Sequence, residues 1–389
     1  MPLILLARWL FSLLSLAILA AASYLLWSWW NGAVVIDAQG LAHRLREPWR
    51  LWTGLGLLAW SLLGRWPTTW ILTKPDTERT RPVRERSHMI QSPTGSRLYV
   101  EVHGPTDAPP VILTHGWGLD STIWFVLRRH LERRFKVIVW DLPGLGRSRA
   151  ASGQAVDLSH FARDLQAVLA LADGRPAVLV GHSIGGMTIQ TLARDWSELS
   201  DTVAGVVLVN TTYTNPLRTM ALGSLAQALR LPLLEPMLRL TIWLQPLAWL
   251  SAWQSYLSGA AHMANRIGFS RHVTRSQLEH TTLLATRNSP AASARGNLAM
   301  FGWDADGALQ AVGRQTLILA GDQDLVTKCE ASQALAEATP GARLEIVAKA
   351  NHMGFLERAE RYTPMIEGFC DSVLFPRASS QRAPTPTQA

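Results

Sequence analysis

The sequence predicts an α/β fold: a mostly parallel sheet of eight strands covered by helices, with an apolar segment placed before it. Three observations carry that expectation. From about residue 86 onward, short apolar runs alternate with stretches of helical period. Polar, glycine-rich motifs fall just beyond the ends of several of those runs, where the strand ends of an open parallel sheet fan apart and leave a crevice. The first 72 residues hold two long, weakly charged runs bordered by tryptophan.

Composition narrows the class. The chain has 389 residues, more than one average domain and enough for one α/β domain with an appendage. A hydrophobic fraction of 48% suits a sizeable core and is too low for a chain embedded in lipid throughout. Lys and Arg number 37 against 29 Asp and Glu, a net charge of +8. The densest basic cluster, Lys74, Arg79, Arg81, Arg84 and Arg86, directly follows an apolar run. That placement suits a flank facing anionic lipid, not the basic patch interleaved with aromatics that nucleic acid requires, so lipid is an expected partner and nucleic acid is not. The two cysteines, Cys329 and Cys370, are too few for a disulfide framework and lack metal-ligand spacing.

Residues 9–30 carry no charge. As a helix rising about 1.5 Å per residue they would extend roughly 33 Å, enough to cross a hydrocarbon core. A second run, 51–72, is uncharged only to Gly64 and then meets Arg65 and Pro67. Nine of the 17 tryptophans lie in the first 72 residues: Trp9 opens the first run, Trp27, Trp29 and Trp30 close it, Trp49, Trp52, Trp66 and Trp70 border the second, and Trp60 lies within it. Indole rings favour the headgroup level, so such borders mark membrane interfaces. A cleaved signal peptide would be shorter and end at small residues, whereas this run ends Trp-Ser-Trp-Trp. Residues 1–72 are therefore expected to be a passive anchor of one or two transmembrane helices, with Arg65 snorkelling outward. Residues 73–87 read as a charged linker and 376–389 as a disordered tail. Arg65, Lys74, Arg79, Arg81, Arg84 and Arg86 outnumber Arg44, Arg46 and Arg50 between the runs, a bias that favours a cytoplasmic main domain.

In the main domain, strands are expected at 86–91, 97–103, 111–114, 137–140, 177–180, 203–209, 316–320 and 344–347. Helix 158–172 would place Leu158, Phe161, Leu165 and Val168 on one face, and 355–374 would close the domain. Beyond the fifth strand comes Gly181-His182-Ser183-Ile184-Gly185, a serine set between glycines where a strand turns sharply into a helix. His115-Gly116-Trp117-Gly118 follows the third strand, and Asp141-Leu142-Pro143-Gly144-Leu145-Gly146-Arg147-Ser148 the fourth. The latter is not a dinucleotide fingerprint, since Arg149 occupies the third glycine position. Gly321-Asp322-Gln323-Asp324 follows the seventh strand and Asn351-His352 the eighth. A serine hydroxyl needs a histidine to take its proton, and the imidazole needs a carboxylate to fix its tautomer, so these loops together point to nucleophilic catalysis.

In these motifs and their order the stretch 86–374 resembles the α/β-hydrolase superfamily, in its serine esterase and lipase-like branch. The resemblance implies a catalytic domain over 88–213 and 311–375 with a helical cap inserted at 214–310. It implies Ser183 as nucleophile, Asp324 as acid and His352 as base, with Asp322 a turn-former. It also implies an oxyanion hole made by the backbone amides of Trp117 and Ile184, and a mainly structural Asp141–Ser148 loop. His115 and His182 are expected to pack or order loops. The cap stretch 231–257 is rich in Leu and Trp; its helices are expected to bury these faces on the catalytic domain, the alternative being a lid that contacts membrane. The activity implied is hydrolysis of carboxylic esters through an acyl-enzyme, with no metal or organic cofactor; the apolar cap and the expected membrane anchor, by location alone, suggest apolar or lipid-like esters. The alternatives are a catalytically silent binding protein of the same fold, or a family enzyme of other chemistry: acyl transfer, haloperoxidation or carbon–carbon hydrolysis.

Overall fold

Runs of Val, Ile and Leu too continuous for a half-exposed strand build the centre of the sheet. The computed structural model describes residues 2–375 apart from 86, 152–155, 197–198, 306 and 313, so the expected tail lies outside the described residues. The strands are β1 (Ser87–Gln91), β2 (Arg97–His103), β3 (Pro110–Thr114), β4 (Lys136–Trp140), β5 (Ala177–His182), β6 (Val203–Val209), β7 (Gln315–Gly321) and β8 (Arg343–Val347). Their order across the sheet is β8-β7-β6-β5-β3-β4-β2-β1, and β2 alone runs antiparallel to its neighbours. β3, β4 and β5 are buried along their whole length because helices cover both faces. The helices Leu158–Leu169 and Ile184–Asp195 pack on one face, while Phe125–Leu131 and Ala359–Leu374 pack on the other. Leu158–Leu169 starts where Asp157 accepts the amide of His160, and it buries Leu158, Phe161, Leu165 and Val168 as its period requires. All eight strands lie where the apolar runs place them. This is an α/β-hydrolase fold.

Between β6 and β7 the helices from Pro216–Thr219 to Pro290–Met300 form an insertion that reaches the histidine loop, where Gly268 accepts the Met353 amide. Its apolar faces are not all buried on the domain, contrary to expectation. Leu231, Trp243, Leu247 and Leu250 of this stretch are all more than half exposed, the extreme being Trp243 at 78%.

The N-terminal region departs furthest from its reading. Helix α1 (Pro2–Asn31) is the one described helix long and apolar enough to cross a membrane. The second run is broken at Gly64 into α2 (Pro48–Leu63) and α3 (Arg65–Leu72). The 16 residues of α2 span about 24 Å at about 1.5 Å each, short of a roughly 30 Å hydrocarbon core. Gly64 keeps a helical backbone, and the hydrogen-bond ladder lapses because Pro67 has no N–H for the Leu63 carbonyl; packing fixes the glycine, since a Cβ there would stand 2.5 Å from the Ser258 carbonyl oxygen of the cap. Arg65 does not snorkel outward. It turns inward, donating to the Tyr256 hydroxyl at 2.9 Å and pairing with Glu279 at 3.6 Å. Helices α1 and α2 lie antiparallel, with Gly54 against Leu25 and Leu26, while Gln254 of the cap reaches both Ser15 and the Ser61 carbonyl. A small hairpin, Ala33–Ile36 with Ala42–Leu45, joins them.

The charged stretch expected as a linker is tied down at several of its described residues. Lys74 exchanges backbone hydrogen bonds with Val273 and Arg275, and Asp76 accepts from Ser276. Arg84 donates to Asp120 at 2.5 Å and Asp141 at 3.0 Å, with its guanidinium over the Tyr99 ring. Asp141 has no exposed surface and Asp120 little, so removing the cation leaves two uncompensated carboxylates in the interior. Arg84→Met should therefore cost about 3–5 kcal/mol of stability, measured as a lowered denaturant midpoint of the full chain in detergent.

Candidate active site

The glycines around Ser183 are dictated by contact. A Cβ on Gly181 would stand 2.6 Å from the backbone of Gly185 and Gly186, and one on Gly185 would stand 2.3 Å from the Thr114 carbonyl oxygen of β3. The strand therefore turns into the helix Ile184–Asp195 within one residue, and Ser183 takes that turn at φ 53°, ψ −120°. Few non-glycine residues adopt such a backbone, and it costs on the order of 1–3 kcal/mol. Ile184 opens the helix, so its amide has no acceptor one turn back and lies beside the serine.

Asp324 and His352 meet across the ends of β7 and β8. The His352 Nδ1–H donates to Asp324 Oδ2 at 2.9 Å, while His352 Nε2 is buried with no hydrogen-bond partner. Asp324 is saturated with donors. Its Oδ1 accepts the amides of Val326 at 2.7 Å and Thr327 at 2.9 Å, and its Oδ2 also accepts the Thr327 hydroxyl and the Asn210 side chain. Burial works to raise this carboxyl, but His352 and the hydrogen bonds outweigh it, and the group lies below the usual carboxylate range. Asp322 is exposed and accepts only the Ala350 amide, at 3.2 Å, so it tethers the histidine loop without reaching the imidazole.

The other two motif histidines hold loops. His115 Nε2 accepts the Leu142 amide and its Nδ1–H donates to the Gly116 carbonyl, which binds the Trp117 loop to the Asp141 loop. His182 donates from Nε2 to the His352 carbonyl at 3.0 Å and packs on Phe355, and burial together with His352 holds it well below the usual histidine range. In the Asp141–Ser148 loop the Ser148 hydroxyl donates to the Asp141 carbonyl and accepts the Tyr99 amide, stitching the loop to β2. Trp117 stacks on Phe161 and donates from its indole to the Ser293 carbonyl of the cap at 3.1 Å.

Three supporting residues escaped the sequence reading. Asn210 closes β6 at φ 45° and links Asp324 to the Tyr362 hydroxyl, which donates to it at 3.1 Å. Buried Glu357 accepts the amides of Asn351 and Ser270, joining the histidine loop to the cap. Asn288 bridges the Gly118 carbonyl and the Gly146 amide. Asn210 had one visible signal, its place at a strand end facing the acid loop; the other two had none.

A cavity of about 420 Å³ opens over His352, His182 and Trp117. Cap residues such as Leu238, Leu244 and Leu247 line it, and so does one face of α1, with Ile4, Leu5, Arg8, Trp9 and Ser12 recurring at helical spacing. The N-terminal segment is therefore not a passive anchor, because part of the cavity wall belongs to it. Among the described residues no group of three His, Cys, Asp or Glu side chains is placed to hold a metal ion.

A nucleophile-type elbow, an Asp–His pair and a capped cavity on this sheet define a hydrolase-type α/β enzyme, and the comparisons with known proteins agree. A model of the alpha/beta hydrolase fold matches residues 109–359, and the chain belongs to that family. It is 27% identical over 319 residues to an uncharacterized protein of Mycobacterium tuberculosis, covering 76% of this chain and 86% of that one. It is 28% identical to a Variovorax paradoxus protein named as a carbamate hydrolase, RutD, over 72% of this chain and 98% of the other. An esterase from Exiguobacterium antarcticum superposes with a TM-score of 0.60 at 22% identity, covering 73% of this chain and 99% of that structure.

The depressed Asp324 carboxyl stabilises the fold above its unfolded value of about 3.9, and that stability is lost as pH falls through the lower folded value. Asn210→Leu removes one of the hydrogen bonds that hold the carboxyl down. Acid unfolding, followed by tryptophan fluorescence, should accordingly begin at a higher pH in the variant.

Proposed function

We propose that this chain is a membrane-anchored serine hydrolase that cleaves apolar or lipid-like carboxylic esters. One observation carries the reading. Asp324 fixes His352 through Nδ1, Nε2 is left buried with no described partner on a residue that lines an apolar cavity, and the His352 carbonyl accepts from His182, the neighbour of Ser183 in the turn. A general base needs this arrangement, with one ring nitrogen oriented and the other free for the proton.

In the proposed reaction His352 Nε2 takes the proton of the Ser183 hydroxyl as the oxygen attacks the ester carbonyl. The amides of Trp117 and Ile184 donate to the developing oxyanion. The tetrahedral intermediate collapses, His352 returns the proton to the leaving alcohol, and the acyl group remains on Ser183. Water, deprotonated by the same nitrogen, then releases the acid and restores the serine. Asp324 stays ionised and holds the imidazole in the tautomer that leaves Nε2 basic.

The membrane assignment is supported by surface chemistry. The outer face of α1 exposes Leu10, Leu14, Tyr24, Trp27 and Trp30, and the cap adds Trp243 and Leu250. Trp9 and Trp29 of α1 are 20 residues apart, about 30 Å of helix, which matches the depth of a hydrocarbon core between two aromatic belts.

Ser183→Ala should abolish ester turnover and labelling by a fluorophosphonate probe, with unfolding behaviour unchanged; normal turnover would remove the assignment. Asp324→Asn should lower kcat by about 10⁴, while Asp322→Asn costs far less, and the reverse ranking would move the acid to Asp322. Full-length protein should stay with the membrane pellet through alkaline carbonate extraction, and release into the supernatant would overturn the anchor.

A further inference from the structure

Helix α1 carries a single charged side chain, Arg8, and that side chain faces the enzyme's cavity. A basic residue near the end of a membrane helix ordinarily points to the headgroups. Arg8 instead lines the cavity that contains His352, one helical turn after Ile4 and one before Ser12. Its Nε and Nη2 donate to one neutral acceptor, the Asn265 side-chain oxygen, at 3.1 and 2.6 Å. No described carboxylate lies within ion-pairing distance of it, and Nη1 donates to no described residue. Asn265 is three residues before Gly268, whose carbonyl accepts the amide of Met353, the neighbour of His352. The guanidinium is thus fixed in orientation through the backbone that also seats the catalytic histidine.

The rest of the cavity gives this charge its meaning. Its described lining is Leu, Ala, Trp, Met and Phe with scattered hydroxyls and amides, and it contains no Asp or Glu. His182, which also lines the cavity, is held well below the usual histidine range by burial and by His352. One fixed positive charge in an apolar, acid-free chamber is left without the counter-ion that a buried cation requires. A guanidinium also presents a planar donor edge that matches a carboxylate or phosphate.

We propose that Arg8 is a substrate-binding residue, and that the ester cleaved by this enzyme is an amphiphile bearing an anionic group, a carboxylate or a phosphate, which pairs with Arg8 while its apolar chain fills the cavity. The inference rests on the hydrolase reading above and names the substrate class for that same site. It also gives α1 a second task, since the helix that faces lipid on its outer side supplies the ligand for the charged end of the substrate on its inner side.

The test uses the full-length protein in detergent micelles and nitrophenyl monoesters of a long-chain diacid. One ester carries a free carboxylate at its far end, and its partner carries a carboxamide of the same size. A third, with a phosphate at the far end, distinguishes the two anions. Wild type should favour the better anion over the carboxamide by about tenfold or more in kcat/KM, the range of one charge-assisted hydrogen bond. Arg8→Gln should bring that ratio close to one through KM of the anionic ester, and Arg8→Lys should keep part of it. Equal turnover of charged and neutral esters by wild type, or a preference that survives in Arg8→Gln, overturns the proposal. A parallel binding arm uses Ser183→Ala protein with a long-chain alkyl carboxylate and its carboxamide, measured by displacement of a fluorescent fatty acid. Anion preference there without turnover in wild type supports the Arg8 site and sinks the hydrolase reading, whereas turnover without anion preference does the opposite.

Discussion

Ser183 sits in a backbone conformation that an isolated chain would leave at once, and most of the central architecture serves to hold it there. Gly185 must touch the Thr114 carbonyl and Gly181 must touch the next turn of helix for the strand to become a helix within one residue. Those contacts require β3 and β5 to be neighbours in register, which in turn requires both sheet faces to be covered so that continuous apolar strands are stable. The strain is local and the restraint is distributed over the sheet.

The same logic explains what could be read from residues alone. Strand positions were legible because a buried parallel strand is a short uninterrupted run of Val, Ile and Leu, a local signal that survives without knowledge of its neighbours. The candidate site was legible where polar residues follow such runs: Ser183, Asp324 and His352 each lie just past a strand end. Asn210 occupies an equivalent place, yet its neutral side chain gave no reason to single it out. Glu357 looked like any helix-start acid, and only the approach of Ser270, 87 residues away, shows what it joins.

The N-terminal region was misread in proportion to how far its partners lie along the chain. A window of sequence distinguishes apolar from polar, and so it found both runs and their tryptophans. It could not register that Gly64 is pressed against Ser258, that Arg65 reaches Tyr256, or that Arg8 reaches Asn265, 257 residues downstream. Each of these contacts is made to the cap, whose own exposed Leu and Trp residues give it no distinguishing local pattern. The N-terminal helices and the cap are one packed unit, assembled from the two parts of the sequence that individually said least about chemistry.

Because α1 supplies one wall of the cavity, the order in which the chain is made acquires weight. The helix is made well before the histidine loop, so the chamber closes only once both are present. Loss of the first half of α1 would open the chamber along the flank that Ile4 to Leu16 now cover. The closed pocket is therefore a joint property of α1, the cap and the histidine loop.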